Sequence, residues 1–189
     1  MSENIFRVEQ LHEVEITSLS SHGDGVGNIN GVVIFVEGAL PGEKVLARIV
    51  KVKKRFLIAT CSKVLAPSSY RVRPPCPIFH RCGGCQVMNL DYEQQLHHKR
   101  SRVADALQRI GHIKGIEILP CLPSPEKLHY RNKIEVGVNK NNGSIGFHNK
   151  IGDKIIDVES CYIFDRQGDD VFQTLRSLLK QAFSGPAQE

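Results

Sequence analysis

Three cysteines inside ten residues, Cys76-x5-Cys82-Gly-Gly-Cys85, constrain this chain more than any other feature. Soft thiolates at short spacing on one loop select zinc or an iron–sulfur cluster over hard cations. Gly83 and Gly84 let the loop fold tightly and aim backbone N–H groups at sulfur. Three local donors need a fourth. The candidates are Cys61, Cys121 and Cys161, together with His80, which would complete a local Cys3His zinc site. Spacing alone leaves both the metal and the fourth ligand open.

Six cysteines would suit a disulfide framework only in an oxidising compartment. The start, Met1-Ser-Glu-Asn-Ile-Phe-Arg7, has no basic region followed by an apolar stretch, so no secretory signal is read and a cytoplasmic chain is expected. No apolar run approaches the roughly 20 residues of a spanning helix. The composition, 41% hydrophobic and 24% charged over 189 residues with mean hydropathy −0.22, provides for a core in one domain or two small ones. Twenty-five Lys and Arg against twenty Asp and Glu give +5, a mild lean toward anionic partners. A thioredoxin-like pair at Cys82 and Cys85 is disfavoured because no βαβ pattern surrounds them.

Residues 12–65 read as about five short strands. Val14-Glu-Ile16 alternates, His22-Gly-Asp-Gly-Val-Gly27 supplies turn residues, and Val32-Val-Ile-Phe-Val36 is a β-branched run stopped by Gly38 and Pro41-Gly42. Val45–Val50 and Phe56–Ala59 follow, with the basic segment Lys51-Val-Lys-Lys-Arg55 between them. Such a pattern without a helix signal predicts a small closed barrel of OB type. Pro67 to Pro77 is a stiff connector that can continue neither strand nor helix.

A helix is predicted next, with Asp91 and Gln94 at capping-box spacing, Leu96, Val103, Leu107 and Ile110 on one face, and Gly111 as its C-terminal cap. The opposite face carries Lys99, Arg100, Arg102 and Arg109. Ile134, Val136 and Val138 alternate up to an Asn142-Gly143 hairpin turn, and Ile145 and Phe147 resume the alternation. Ile155–Val158 is a further strand leading to Cys161. Residues 169–183 are amphipathic through Val171, Leu175, Leu178 and Phe183, and the tail Ser184–Glu189 caps no new unit.

The front segment resembles a TRAM domain, an OB-like RNA-binding module. The matching residues are Gly23-Asp-Gly-Val-Gly27, Val33-Ile-Phe-Val36, Gly38-Ala-Leu-Pro-Gly-Glu-Lys-Val45 and Pro67-Ser-Ser-Tyr-Arg-Val72. The run Cys76-Pro-Ile-Phe-His-Arg-Cys-Gly-Gly-Cys-Gln-Val87, then Gln95-Leu and Lys99, is similar to the cluster loop of the RNA (uracil-5-)-methyltransferases, which make 5-methyluridine with S-adenosylmethionine. Tyr130-Arg-Asn-Lys-Ile134, Ile145-Gly-Phe147 and Ile156-Asp-Val-Glu-Ser-Cys161 match the same family in order.

The resemblance implies an α+β chain: a TRAM barrel at 5–66, a linker and cluster loop at 67–90, a helix at 91–115 that would pack on a methyltransferase domain, and a central α/β domain at 116–189. It implies a [4Fe–4S] cluster on Cys76, Cys82, Cys85 and Cys161, and makes His80 a neighbour. The family's nucleophilic cysteine, its glutamate base and its Rossmann-like S-adenosylmethionine domain fall outside this sequence. The expectation is therefore a monomeric N-terminal portion without catalytic residues, with the methyltransferase domain as its intramolecular partner. Gly23-x-Gly25-x-Gly27 precedes a strand, so it offers no helix N-terminus to a ligand.

Lys44 to Arg55 holds six basic residues and no acidic one, which on a barrel is a phosphate-tracking surface. Lys51, Lys53, Lys54 and Arg55 are the candidate RNA contacts there, with Arg131 and Lys133 as a second patch. Ribosomal RNA is placed ahead of transfer RNA as the substrate. The alternative reading is a stand-alone RNA-binding module with a zinc or iron–sulfur site and no catalysis.

Overall fold

Alternation of buried and exposed positions along the first five strands shows where the main core lies. The structure, a computed structural model, describes residues 6–183, so the Ser184–Glu189 tail and the first residue of the 5–66 segment lie outside the described residues. The strands are β1 (Leu11–Leu19), β2 (Gly25–Ile29), β3 (Val32–Glu37), β4 (Lys44–Val52) and β5 (Phe56–Ala66). They close into a barrel in the order β1-β2-β3-β5-β4. All pairings are antiparallel except β3 with β5, which places Ile34 opposite Leu57 and Val36 opposite Ala59.

Inward positions of the alternation fill the barrel. Val14, Ile16, Ile34, Val36, Val45, Ala47, Ile49, Leu57 and Ala59 form one buried cluster. Each large aliphatic among them contributes about 1.5–3 kcal/mol by leaving water. Three register shifts along the β4–β5 pair supply the local bends that closure requires.

One expectation is corrected here: Gly25 and Gly27 lie in a strand, not a turn. They are buried because Val14 and Ile16 of β1 occupy the space a side chain would need, and a Cβ on Gly25 would sit 2.8 Å from Ile16 Cγ2. The true turn is at Ser20–Gly23, where Gly23 takes φ +88°.

The described residues divide into two compact units, one comprising residues up to 73 together with 86–122, the other 74–85 together with those from 123 onward. In the first, the connector pairs with the segment before the helix: Val72 N donates to Asn89 O (2.9 Å) and Asp91 N to Tyr70 O (2.9 Å). Helix α1 (Tyr92–Asp105) starts at Asp91, whose carboxylate accepts from the Glu93 amide (3.1 Å). It runs into a π-helical turn, Ala106–Ile110, closed at Gly111. Of the predicted apolar face only Leu96 is buried; Val103 is 49% and Ile110 80% exposed.

The second unit holds a three-stranded sheet, β6 (Gly137–Val138), β7 (Ile145–His148) and β8 (Ile155–Asp157), and helix α2 (Arg166–Phe183). Its core is Ile145, Phe164 and Phe172, with Ile134, Val136, Cys161 and Leu179 packed against it. The amphipathic face predicted for α2 is overturned, because Val171, Leu175 and Leu178 are exposed while Phe172 and Arg176 are buried. Arg176 fixes this rotation by pairing with both Asp157 oxygens and donating to Val158 O at 2.8 Å. Among the described residues no helix is long and apolar enough to cross a membrane.

Candidate metal centre and nucleic-acid surfaces

The cysteine loop is shaped by a local hydrogen bond and by two bonds to the 148–150 segment. Cys82 N donates to Ile78 O (2.9 Å), Gly83 N to His148 O (3.0 Å), and Lys150 N to Arg81 O (3.2 Å), so the loop lies along the 148–150 turn. A side chain on Gly83 would press on the Asn149 carbonyl at 3.0 Å. The Gly84 amide points at Cys82 Sγ (3.4 Å), an N–H to sulfur contact.

Cys161 reaches the same neighbourhood from far along the chain. The Asp169 carboxylate accepts from its amide (3.2 Å), and its carbonyl accepts from Phe164 N (3.0 Å). Cys76 and Cys85 each lie within electrostatic reach of Cys82 and Cys161. Burial pushes the Cys85 thiol up to about 11, with Cys161, Cys82 and Cys76 adding to the rise and Arg131 opposing it. Burial likewise raises Cys76.

Among the described residues no three His, Cys, Asp or Glu side chains stand close enough together to hold a single metal ion. The chemistry of the donor set is nevertheless that of a thiolate-held group: four free soft donors, one neighbouring cation and amides aimed at sulfur. A multinuclear cluster also spaces its thiolates more widely than one tetrahedral ion, whose ligands all lie within about 2.3 Å of one centre. His80 is exposed and meets Phe79 edge-on (5.2 Å between centroids).

The other two cysteines stand elsewhere. Cys61 packs against the barrel core, where burial raises its thiol. Cys121 belongs to the barrel's unit and makes a 3.8 Å contact with Leu122 O.

The six-residue basic run is smaller in charge than it reads. Lys44 pairs with Glu13 (2.6 Å) and Arg48 with Glu9 (3.7 Å), both on the β1 side. Lys51, Lys53, Lys54 and Arg55 are exposed around the β4–β5 turn and enter no ion pair among the described residues. Arg131 is exposed and anchored by its backbone, which donates to Ile163 O (2.8 Å) and accepts from Asp165 N (2.9 Å). Lys133 lies 3.7 Å from Glu135, a pairing the spacing of the motif concealed.

A family model described as TRAM domain matches residues 7–61. A Clostridium tetani protein named as an RNA methyltransferase is 37% identical over 172 residues, which is 90% of this chain and 37% of that protein. A similarly named Listeria monocytogenes protein is 36% identical over 191 residues, covering 100% of this chain and 42% of its own length. The crystal structure of Pyrococcus abyssi tRNA (uracil-54, C5)-methyltransferase with S-adenosyl-L-homocysteine matches 89% of this chain and 37% of that one, with TM-score 0.60 and 28% identity. The chain thus spans about two fifths of the length of the relatives it matches.

Proposed function

We propose that the chain belongs to the RNA methyltransferase family for which its relatives are named, and that it is the RNA-binding and iron–sulfur portion of an S-adenosylmethionine-dependent enzyme that methylates C5 of uridine in RNA. The observation that carries this reading is the match, across 89% of the chain, to a solved methyltransferase whose own substrate is uracil 54 of transfer RNA. The part of the enzyme that transfers the methyl group lies, on this reading, outside the 189 residues.

Within the chain, Lys51, Lys53, Lys54 and Arg55 track RNA phosphates across the β4–β5 turn of the barrel. Arg131 and Lys133 add charge on the second unit. Cys76, Cys82, Cys85 and Cys161 are the ligands of a [4Fe–4S] cluster, which when bound supplies a cross-link between the 76–85 loop and the Cys161 turn. Methyl transfer consumes no electron, so a structural role for these thiols suffices.

Filter binding of ribosomal and transfer RNA transcripts to the anaerobically purified chain tests the reading. Salt-dependent retention of one class above an unrelated RNA is expected, and the class retained identifies the substrate. Indifference to RNA at low salt contradicts it.

A further inference from the structure

The face of α1 that looks onto the barrel is polar, where a helix built to pack would be apolar. Gln94, His98 and Arg102 recur along it at helical spacing and, with Ser68, Ser69 and Tyr70 of the connector, line a cleft of about 580 Å³. A volume of this size accommodates a small ligand such as one nucleotide. We propose that this cleft holds a nucleotide of single-stranded RNA, its base stacked on Tyr70 and its phosphate on Arg102. The proposal deepens the RNA-binding reading above and rests on it.

The placement of Tyr70 is fixed while its ring is left available. Its carbonyl accepts from Asp91 N (2.9 Å), its amide donates to Ser68 Oγ (3.3 Å), and the residue is 49% exposed. An aromatic ring held by its backbone at the mouth of a cleft loses little freedom when a base stacks on it. The lining carries one guanidinium, Arg102, and one carboxylate, Asp105, which lies 3.9 Å from Arg109. Burial, and then Arg102 and His97, hold the His98 imidazole below its ordinary value, so at neutral pH it is a neutral donor or acceptor for a base edge. Ser68, Ser69 and Gln94 supply further neutral hydrogen-bonding groups.

The test uses the full chain and a single-stranded RNA of about 12 nucleotides carrying 4-thiouridine, a length within reach of one OB-like barrel. Photo-cross-links are expected in residues 67–71 or 94–102. Tyr70→Ala should weaken binding about tenfold, while Tyr70→Phe stays within about twofold. Arg102→Ala should lower the slope of log affinity against log salt by about 0.7. Cross-links confined to 51–55 and 131–133, with Tyr70→Ala binding as tightly as the parent, overturn the cleft assignment and leave the RNA reading standing. Failure of the unaltered chain to bind the RNA at low salt overturns both. Cross-linking of the cleft to another polypeptide, with RNA excluded from it, also overturns the assignment.

Discussion

Arg71 donates through Nε (2.6 Å) and Nη2 (2.8 Å) to the two carboxylate oxygens of Glu43, a side chain shut off from solvent. The same carboxylate accepts from the Leu40 amide (2.9 Å) and the Ser68 amide (3.3 Å), and Arg71 also donates to Gly38 O (2.7 Å). Charge, bidentate geometry and a carboxylate paired at both oxygens make this the joint between barrel and connector. It also places Ser68, Ser69 and Tyr70 on the wall of the proposed nucleotide cleft.

Breaking one side of the pair leaves the other charge uncompensated. Arg71→Met should therefore destabilise the barrel unit by about 3 kcal/mol, read as a lowered urea midpoint by circular dichroism. The double variant Glu43→Leu with Arg71→Met should recover most of that loss. A double variant no more stable than Arg71→Met would show that the pair is not what joins the two segments.

Acid should weaken the fold in a defined direction. Burial pushes Glu43 up, but Arg71 and the two amides together outweigh it and hold the carboxyl below its ordinary value. Asp157 is lowered by the Arg176 guanidinium. A carboxyl lowered in the folded state stabilises it fully above the unfolded pKa, about 4, and loses that contribution as pH falls through the folded one. Stability should thus hold from neutrality to about pH 4 and decline below it. Glu43→Gln and Asp157→Asn should each flatten the decline in a pH series of urea midpoints; an unchanged decline in both would contradict the pairing.

Much of the barrel was legible because its strands carry local signals, alternation in Val14-Glu-Ile16 and an unbroken β-branched and aromatic run in Val32–Val36. β2 was not, since Gly25 and Gly27 signal a turn locally and become strand residues only when Val14 and Ile16 arrive beside them. The rotation of α2 was hidden for a related reason. Its apolar moment points through Val171, Leu175 and Leu178, whereas the buried face is set by the Arg176 pair with Asp157, 19 residues back. The local cysteine trio announced itself by spacing; Cys161 came only from resemblance, because spacing does not choose among Cys61, Cys121 and Cys161 as the fourth donor. The cleft was invisible, being assembled from β1, the connector and α1.

Charge reversal at the β4–β5 turn separates phosphate contact from a merely solvated hairpin. Lys53→Glu with Lys54→Glu should weaken RNA binding and reduce the salt slope by about 1.4, two single-strand phosphate contacts. Both side chains are exposed, so the urea midpoint should stay where it is. Unchanged affinity and slope would move the RNA surface elsewhere.

Iron and acid-labile sulfide in the anaerobically purified protein test the central claim most directly. The parent and Cys121→Ser should each carry about four irons and four sulfides per chain, and Cys161→Ser should carry far less. A colourless parent with one zinc per chain, or full iron in Cys161→Ser with loss in Cys121→Ser, would contradict it.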